Sequence, residues 1–534
     1  VGHLLEHGAN ALAPDNEGYH PLHWAAACGH VDTLDTLLAA GASALARSNT
    51  GETPLHRASR LGRVDAVRRL LASSPAGDGT ASPAANSTTA VTDAAAAALA
   101  MRNWQCETAL DVAGSVDGRV VARHRTSVRR AMLELVPSSR LLLLHHSDCL
   151  SHLTGDNHQE HPMRLRSILQ ALAPSLAIEE SVAGGANAPA VPAPVATSSL
   201  RSHRDALSIY AIPDYEMRPS SNFEPAAVSE LQRAHEPSYV ALVEAMAARL
   251  SAAPPCSPVP FTPFVQRAGG VDSAHLKDAA ISDSRFSAGT HAAVRRAAGA
   301  VVSAVDAVLR VEARNALCVV RPPGHHAGRR GLRAGSHSTG FCVYNTVMVG
   351  AMRALHGPNA VGRVAIIDFD VHHGDGTEEI VRHLAHEAPA DALFFASIHL
   401  YDEGDNSFTR FYPGSGGADA LVANVVNVPV APHWRRAGGG VGRVSKASGG
   451  RLEWRQAFAQ RVIPALRAFC PQLLLLSSGF DGAERDVGNS MIDDADKYHQ
   501  GLDLGPADFE WMTEQLMSVA ACCCPGKVVS VLEG

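Results

Sequence analysis

From residue 141 onward, the chain alternates between two hydrophobic patterns. Short continuous apolar runs include NALCVV at 315–320, VAIID at 364–368, LFFASIHL at 393–400, LLLLSS at 473–478 and KVVSVLE at 527–533. Between them, apolar residues recur every three or four positions, as in EEIVRHLAHE and ADFEWMTEQLMSVA. A continuous apolar run is typical of a strand buried on both faces, and the wider spacing is typical of an amphipathic helix. The alternation predicts an α/β domain whose parallel sheet is covered by helices on both faces.

The first part of the chain has a different pattern, because it repeats itself every 33 residues. GYHPLHWAA, which starts at Gly18, returns as GETPLHRAS at Gly51, and LLEHGAN at Leu4 returns as LLAAGAS at Leu37. This period, with the sequence TPLHxA, resembles the ankyrin repeat, a turn followed by two short helices that bury their faces by stacking. CETALDVA at 106–113 resembles a further unit. We therefore predict an all-α ankyrin array ahead of the α/β domain.

These patterns predict the domain boundaries. The ankyrin repeats occupy residues 1–115 with a low-complexity insertion at 73–95, a helix-prone linker occupies 116–140, and the α/β domain occupies 141–534. Within that domain, residues 181–200, 251–264 and 435–450 are rich in Ala, Pro, Gly and Ser and are interpreted as surface loop insertions. The first residue falls within a helix-like pattern and the last residues follow a strand-like run. We therefore expect the sequence to be cut from a longer protein at both ends.

The composition limits the range of partners. Hydrophobic residues make up 46% of the chain and charged residues 19%, and the net charge is −7, which fits globular domains and disfavours a chain that coats nucleic acid. No apolar run approaches the length of a membrane span. The ten cysteines include no CxxC pair, which indicates a reducing compartment. We expect no direct nucleic-acid or membrane partner, and a location in the nucleus, the cytoplasm or both.

Candidate metal ligands cluster where the predicted strands end, which is the ligand-binding edge of an α/β sheet. In AIIDFDVHH, side chains alternate, so Asp368, Asp370 and His372 would share one face if the strand continued through them. Burying this many polar groups is very costly unless a cation lies among them, and the donor set suits Zn²⁺ or a similar ion. Asp481 ends another strand, where it could instead cap a helix.

A third predicted strand ends at two adjacent histidines, His325 and His326. They could supply the base that a mononuclear hydrolytic metal site requires beside its three ligands and its open position. Asp375 lies within HHGDGTEE, where it could cap the helix that starts near Thr377. From these residues alone, a metal-dependent hydrolytic site is the favoured interpretation.

Six motifs in order resemble the zinc-dependent histone deacetylases: RPPGHHAG at 321–328, GFCVYN at 340–345, DFDVHHGDGT at 368–377, FYPGSG at 411–416, SSGFDG at 477–482 and VLEG at 531–534. RPPGHHA and VLEG resemble the class II branch of that family. HQEHPMRL at 158–165 resembles an early family motif, with Gln159 where proline is usual. The resemblance covers about residues 141–534 and implies the arginase/deacetylase-like fold.

The resemblance assigns roles to individual residues. It implies that Asp370, His372 and Asp481 bind zinc. It implies that His325 and His326 form a general acid/base pair, which Asp368 and Asp375 orient. The implied substrate channel, which would hold the stem of an acyl-lysine, and the inner cavity beneath the metal are formed by Gly340, Phe341, Tyr412 and Arg164. The resemblance also implies a potassium ion near Asp368, Asp370, His372 and Ser397.

The leading hypothesis is hydrolysis of the acetyl-lysine amide in histones or other proteins, with the ankyrin repeats recruiting a protein partner through turn tips such as 16–20 and 49–53. One alternative is an acetylpolyamine or other small-amide hydrolase. An acidic residue at position 488 would favour it, and Gly488 supplies none. Another is a catalytically weak scaffold, for which broken metal ligands would be the marker, and the ligands are intact. An arginase-like two-metal site would need more bridging aspartates than DFDVHH offers. The family's oxyanion donor would follow Gly534.

Overall fold

The structure is a computed structural model that falls into two compact units, Val1–Leu141 with Pro213–Arg218, and Leu142–Ile212 with Pro219–Gly534. The residues that it describes are 1–73, 88–105, 107–116, 119–155, 158–174, 212–252, 257–262, 282–332, 338–386, 391–402, 411–420, 423–435, 449–492 and 498–534. Among them, no helix combines the length and the apolar composition that a membrane span needs.

The first unit is helical and keeps the period of the sequence. Its α-helices are Gly2–Glu6, Pro21–Cys28, Val31–Ala39, Pro54–Arg60, Val64–Ala72, Thr88–Ala100 and Ala122–Leu135. Two short strands, Ser115–Val116 and Arg119–Val120, pair in an antiparallel direction, and Pro137–Ser139 and Asp214–Glu216 are 3₁₀ turns. The proline that begins each of the helices Pro21–Cys28 and Pro54–Arg60 fits a first helical turn, where its missing N–H is not needed.

The turns before the helices stack on one another. The N–H of Asp15 bonds the carbonyl of Tyr19 at 3.0 Å, and the same bond recurs from Ser48 to Glu52 at 2.9 Å and from Asn103 to Glu107 at 2.9 Å. Glu107 thus closes a turn of the same kind, and the further repeat unit at 106–113 stays a prediction. Of the predicted insertion at 73–95, residues 74–87 lie outside the described part, and the helix Thr88–Ala100 begins within the rest. The predicted linker, 116–140, contains the helix Ala122–Leu135, whose buried face joins the core of the repeats.

A buried histidine links each turn to the next. Nδ1 of His23 accepts the N–H of His20 at 3.1 Å, and its Nε2 donates to the carbonyl of Glu52 at 3.0 Å. His56 lies in the equivalent place and reaches the carbonyl of Glu107 at 3.1 Å. Because one ring nitrogen accepts while the other donates, the imidazole of His23 is neutral. Burial accordingly lowers the pKa of His23 to about 4.

The second unit is built on an eight-stranded sheet. Its strands are β1 (Leu141–Leu144), β2 (Met217–Ser220), β3 (Asn315–Cys318), β4 (Val364–Asp368), β5 (Leu393–Leu400), β6 (Val425–Val430), β7 (Leu473–Ser478) and β8 (Val528–Leu532). The strand order is β6-β5-β4-β7-β8-β3-β1-β2, and the six successive pairings from β6 to β1 are parallel. β4, β5 and β7 are buried at every position, which explains their continuous apolar runs.

Helices cover both faces of this sheet, as predicted. The α-helices are Met163–Leu172, Val228–Ala234, Pro237–Ala252, Thr290–Leu309, Thr346–His356, Asp375–Leu384, Gly449–Ala457, Ile463–Phe469 and Pro506–Cys523, and a π-helical segment is Phe458–Val462. Ser147–Leu150 and His433–Arg435 are 3₁₀ turns, and short strand pairs join Val259–Pro260 to Arg285–Phe286 and Ser490–Ile492 to Tyr498–Gln500. Ile367 of β4 packs in one core with Phe458 and Leu516. The helix Thr346–His356 contacts the same strand separately.

The predicted loop insertions fall mostly outside the described residues. All of 181–200 lies there, as do 253–256, 263–264 and 436–448. Four neighbouring strands, β3, β4, β7 and β8, end at the same edge of the sheet. Each is followed by one of the sequence motifs, because parallel strands bring their carboxyl ends together.

Candidate metal centre and acid/base pair

The three predicted metal ligands come together after β4 and β7. Asp370, His372 and Asp481 each offer a ligand atom, and these atoms lie within 4.8 Å of one another. Nδ1 of His372 lies 3.0 Å from Oδ1 of Asp370 and 2.8 Å from Oδ2 of Asp481. No other such group of three or more His, Cys, Asp or Glu residues occurs in the part of the chain that the structure describes.

The reason given above for this grouping is wrong, because β4 ends at Asp368 and does not continue to His372. Strand alternation therefore does not place these side chains on one face. Backbone donors fix them instead. The N–H of Val371 bonds Oδ1 of Asp481 at 2.8 Å, and the N–H of His372 bonds Oδ1 of Asp370 at 2.9 Å. Asp481 thus braces the loop after β4 rather than capping a helix.

The centre has the electrostatics of a cation site. Burial and the neighbouring charge of Asp481 raise the pKa of Asp370 to about 6. Burial acts to lower the pKa of His372, but its bonds to the two carboxylates outweigh this and raise the pKa to about 10. Oδ2 of Asp370 is buried and has no hydrogen-bond partner. A buried carboxylate oxygen without a donor is costly, and a divalent cation would satisfy it. These residues therefore fit Zn²⁺, with two carboxylates and one imidazole as its ligands.

The tandem histidines lie beside this centre, each held by its own carboxylate. Nδ1 of His325 lies 3.0 Å from Oδ2 of Asp368, and Nδ1 of His326 lies 2.7 Å from Oδ1 of Asp375. The two ring centroids are 3.9 Å apart. Asp375 begins the helix Asp375–Leu384, but its side chain bonds His326 and does not serve only to cap the helix.

The environment shifts the pKa values of the two histidines in opposite directions. Burial acts to lower the pKa of His325, but the charges of Asp368 and Asp370 raise it well above its ordinary value. Burial and the charge of His325 lower the pKa of His326 to about 3. His326 is consequently neutral near pH 7, and its Nδ1 is engaged by Asp375. Its Nε2 is the atom that can take a proton.

An aromatic cavity leads to this group. It has a volume of 370 Å³, and Gly340, Phe341 and Tyr412 line it, as the resemblance implied. Tyr412 meets the ring of His326 edge-on at 4.9 Å between centroids, and its hydroxyl donates to the carbonyl of Ser338 at 3.1 Å. Gly340 has φ +50°, and a Cβ there would lie 2.3 Å from Cδ2 of His326.

Arg164 also lines the cavity, and its guanidinium donates to the main-chain carbonyl of Glu533 and lies 3.5 Å from Oε1 of Glu160. The residues implied for potassium are partly engaged otherwise. Ser397 pairs with Asp368 across β5 and β4, and its hydroxyl bonds Nδ1 of His399 at 2.9 Å. The potassium ion stays a prediction.

The sequence analysis missed several residues that shape the site. Phe411 stacks on His372 with 4.9 Å between centroids and 8° between planes. Arg321 is buried and lies 2.5 Å from Oε2 of Glu160, which is also buried. The same Arg321 donates to the carbonyls of Cys149 at 2.9 Å and His152 at 2.7 Å. All of these residues except Cys149 and His152 fall within motifs quoted above. Motif membership was therefore an available signal, but it did not indicate which residues these side chains contact.

Known families match most of the chain. The family model "Histone deacetylase domain" matches residues 158–534, and the model "Ankyrin repeats (3 copies)" matches residues 1–80. "Type-2 histone deacetylase 2" of Dictyostelium discoideum is 36% identical over 250 residues, which cover 45% of this chain and 12% of that protein. "Histone deacetylase 7" of Homo sapiens is 36% identical over 247 residues, which cover 45% of this chain and 22% of that protein.

Another relative, "Histone deacetylase 15" of Arabidopsis thaliana, is 33% identical over 249 residues, which cover 45% of this chain and 36% of that protein. The solved structure "Crystal Structure of HDA15 HD domain" is 24% identical with a TM-score of 0.48, covering 74% of this chain and 83% of that one. The chain thus spans well under half the length of these curated relatives. Because the deacetylase match extends over residues 158–534 and contains every candidate site residue, the chain belongs to the histone deacetylase family and carries ankyrin repeats at its N-terminus.

Proposed function

We propose that this protein hydrolyses the acetyl-lysine amide of histones or other proteins in a zinc-dependent reaction. The observation that carries the proposal is that His326, held through Nδ1 by Asp375, lies beside the three grouped ligands and lines the same cavity as they do. A bound Zn²⁺ would polarise the amide carbonyl and make a water molecule more acidic. Asp370, His372 and Asp481 would hold the ion.

The residues of the chain have separate tasks in this reaction. Phe341 and Tyr412 would enclose the apolar lysine stem and exclude bulk water. Nε2 of His326 would accept the proton of the attacking water and then deliver a proton to the leaving lysine amine. His325, which Asp368 keeps charged, would stabilise negative charge nearby. Asp375 would hold His326 in the tautomer that leaves Nε2 available.

We further propose that the ankyrin array recruits a protein partner and that the protein acts in the nucleus, the cytoplasm or both. Two exposed tryptophans support a binding surface on the array, since Trp24 is 48% and Trp104 is 67% exposed. Their indole N–H groups donate to Asp15 at 2.9 Å and to the carbonyl of Asn49 at 3.0 Å, so both side chains are held in place. Fixed, exposed tryptophans are typical of protein-binding surfaces.

The test compares acetyl-lysine peptides with acetylated polyamines as substrates, together with measurement of bound zinc. It uses the protein of 534 residues. We expect about one zinc per chain, turnover of the peptide, and its loss in His326→Ala but not in His356→Ala, an exposed histidine outside the site.

Other outcomes would change the assignment. A preference for polyamines would favour a small-amide hydrolase. Bound zinc without turnover of any amide would leave a scaffold on a deacetylase fold. Absence of zinc would contradict the proposed chemistry altogether.

A further inference from the structure

Glu533 is a buried carboxylate at the end of β8 to which no role has been given so far. Its side chain is 1% exposed. Oε2 accepts the N–H of Gly324 at 2.7 Å and the N–H of His325 at 3.2 Å, and Oε1 accepts the hydroxyl of Ser477 at 3.0 Å. Burying a carboxylate is costly, and burial raises the pKa of Glu533. Hydrogen bonds from three donors offset part of that cost.

These bonds join three neighbouring strands at the edge where the site lies. Ser477 belongs to β7, Glu533 follows β8, and His325 lies in the loop after β3. The N–H of Glu533 also bonds the carbonyl of Ser478 at 3.1 Å, which fixes the backbone that carries the Glu533 side chain. The loop that bears the tandem histidines is thus anchored to the sheet through one carboxylate.

The position of this loop sets the position of both histidine rings. His325 must reach Asp368 at 3.0 Å while its backbone is held by Glu533, and His326 must reach Asp375 at 2.7 Å. The two rings are only 3.9 Å apart between centroids, so a shift of the backbone at residue 325 moves both. Catalysis depends on such placement, since an error of about 1 Å can cost on the order of a hundredfold in rate.

We propose that Glu533 is a positioning residue for the tandem histidines, acting as the hydrogen-bond acceptor that holds the backbone of residues 324–325. The inference rests on the proposed deacetylase function. It assigns to Glu533 no contact with substrate or metal. Its role is to accept hydrogen bonds, so a neutral acceptor of the same shape should largely replace it.

The test uses the Glu533→Gln and Glu533→Ala variants of the protein, with kcat, KM, zinc content and amide hydrogen exchange as readouts. The amide oxygen of Gln can still accept the two N–H groups, and its NH₂ can donate to the Ser477 hydroxyl. We expect Glu533→Ala to lower kcat about a hundredfold with KM and zinc content unchanged. We expect Glu533→Gln to recover most of that loss. Hydrogen exchange over 321–327 should accelerate in the Ala variant only.

Two further variants keep the test decisive. Ser477→Ala serves if Glu533→Ala does not fold. It removes one donor that orients Glu533 and should lower kcat to a value between those of the unmodified protein and the expected Glu533→Ala variant. Glu514→Ala, at an exposed position of the helix Pro506–Cys523, should change nothing.

Each contrary result has its own meaning. A Gln variant as slow as the Ala variant would show that the charge acts rather than the hydrogen bonds, and would overturn the proposal. So would an Ala variant that keeps its kcat, or one whose defect lies in KM. An unmodified protein that hydrolyses no amide would instead overturn the proposed function. In that case the hydrogen exchange would still report whether Glu533 holds the loop.

Discussion

Replacing Gly340 by alanine should displace His326, the proposed general base, without touching the three proposed metal ligands. The new Cβ would lie 2.3 Å from Cδ2 of His326, whereas ordinary contacts begin at 3.4 Å, so the ring must move by roughly 1 Å. The ring cannot move freely, because its Nδ1 bonds Asp375 at 2.7 Å. The φ of +50° adds a backbone strain of about 1–2 kcal/mol for a residue with a side chain.

We therefore expect Gly340→Ala to lower kcat on the order of a hundredfold, while bound zinc stays near that of the unmodified protein. The assay is steady-state deacetylation of an acetyl-lysine peptide, with zinc measured on the same preparation and the melting temperature as a check on folding. Gly155→Ala is the matched control. Its φ is +103°, and no atom of the described residues lies within 4 Å of the added Cβ, so it carries backbone strain without a clash.

The reasoning fails if Gly340→Ala keeps kcat within about threefold of the unmodified protein. A threefold change corresponds to about 0.7 kcal/mol in the activation free energy, which is less than the backbone strain alone. It also fails if Gly155→Ala shows the same loss, because strain rather than the displacement of His326 would then be the cause. Loss of zinc from the Gly340 variant would indicate that the disturbance reaches the ligands.

Three further predictions concern other parts of the molecule. Glu160→Gln leaves the charge of buried Arg321 without its counter-charge and should cost about 3–5 kcal/mol in chemical denaturation, whereas Glu312→Gln, in an exposed pair, should cost under 1 kcal/mol. Asp481→Asn weakens one ligand, so the zinc content after dialysis should fall well below one per chain, and a content that stays at one would remove Asp481 from the ligand set. His23 contributes stability that is present above its unfolded pKa of about 6.5 and is lost as the pH falls toward its folded pKa of about 4. The repeat unit should therefore lose about 2 kcal/mol from this group between pH 7 and pH 5, and His23→Gln, which does not titrate, should show a smaller decrease in melting temperature over that range.

The sequence predicted the fold through its periodicities. The strands β4, β5 and β7 are buried on both faces, and a strand with no solvent face is apolar along most of its length. The ankyrin period was equally visible, because Pro21 and Pro54 each begin a helix. The helix Ala122–Leu135 was less visible as part of that array. Its sequence is rich in arginine, and its buried residues are few.

The site was predicted by motif rather than by geometry. Alternation along β4 gave a wrong reason for the grouping of Asp370, His372 and Asp481, since the strand ends at Asp368 and backbone N–H groups position these side chains. Phe411 and Glu533 act through contacts with His372 and His325, respectively. Such partners, far apart along the chain, leave no periodic signal. Only the folded sheet brings them together.

The order of strands in the sheet has a consequence for biosynthesis. β8 is the last of the eight strands to leave the ribosome, yet it lies between β7 and β3 in the sheet. Until residues 528–532 emerge, the edges of β7 and β3 that will pair with β8 have no partner. Unpaired strand edges favour association with other chains. The nascent chain can pair β4 with β7, and so bring the three proposed metal ligands together, before that insertion. We expect the nascent protein to need a chaperone at this stage, and the histidines to reach their final place only once translation has passed β8.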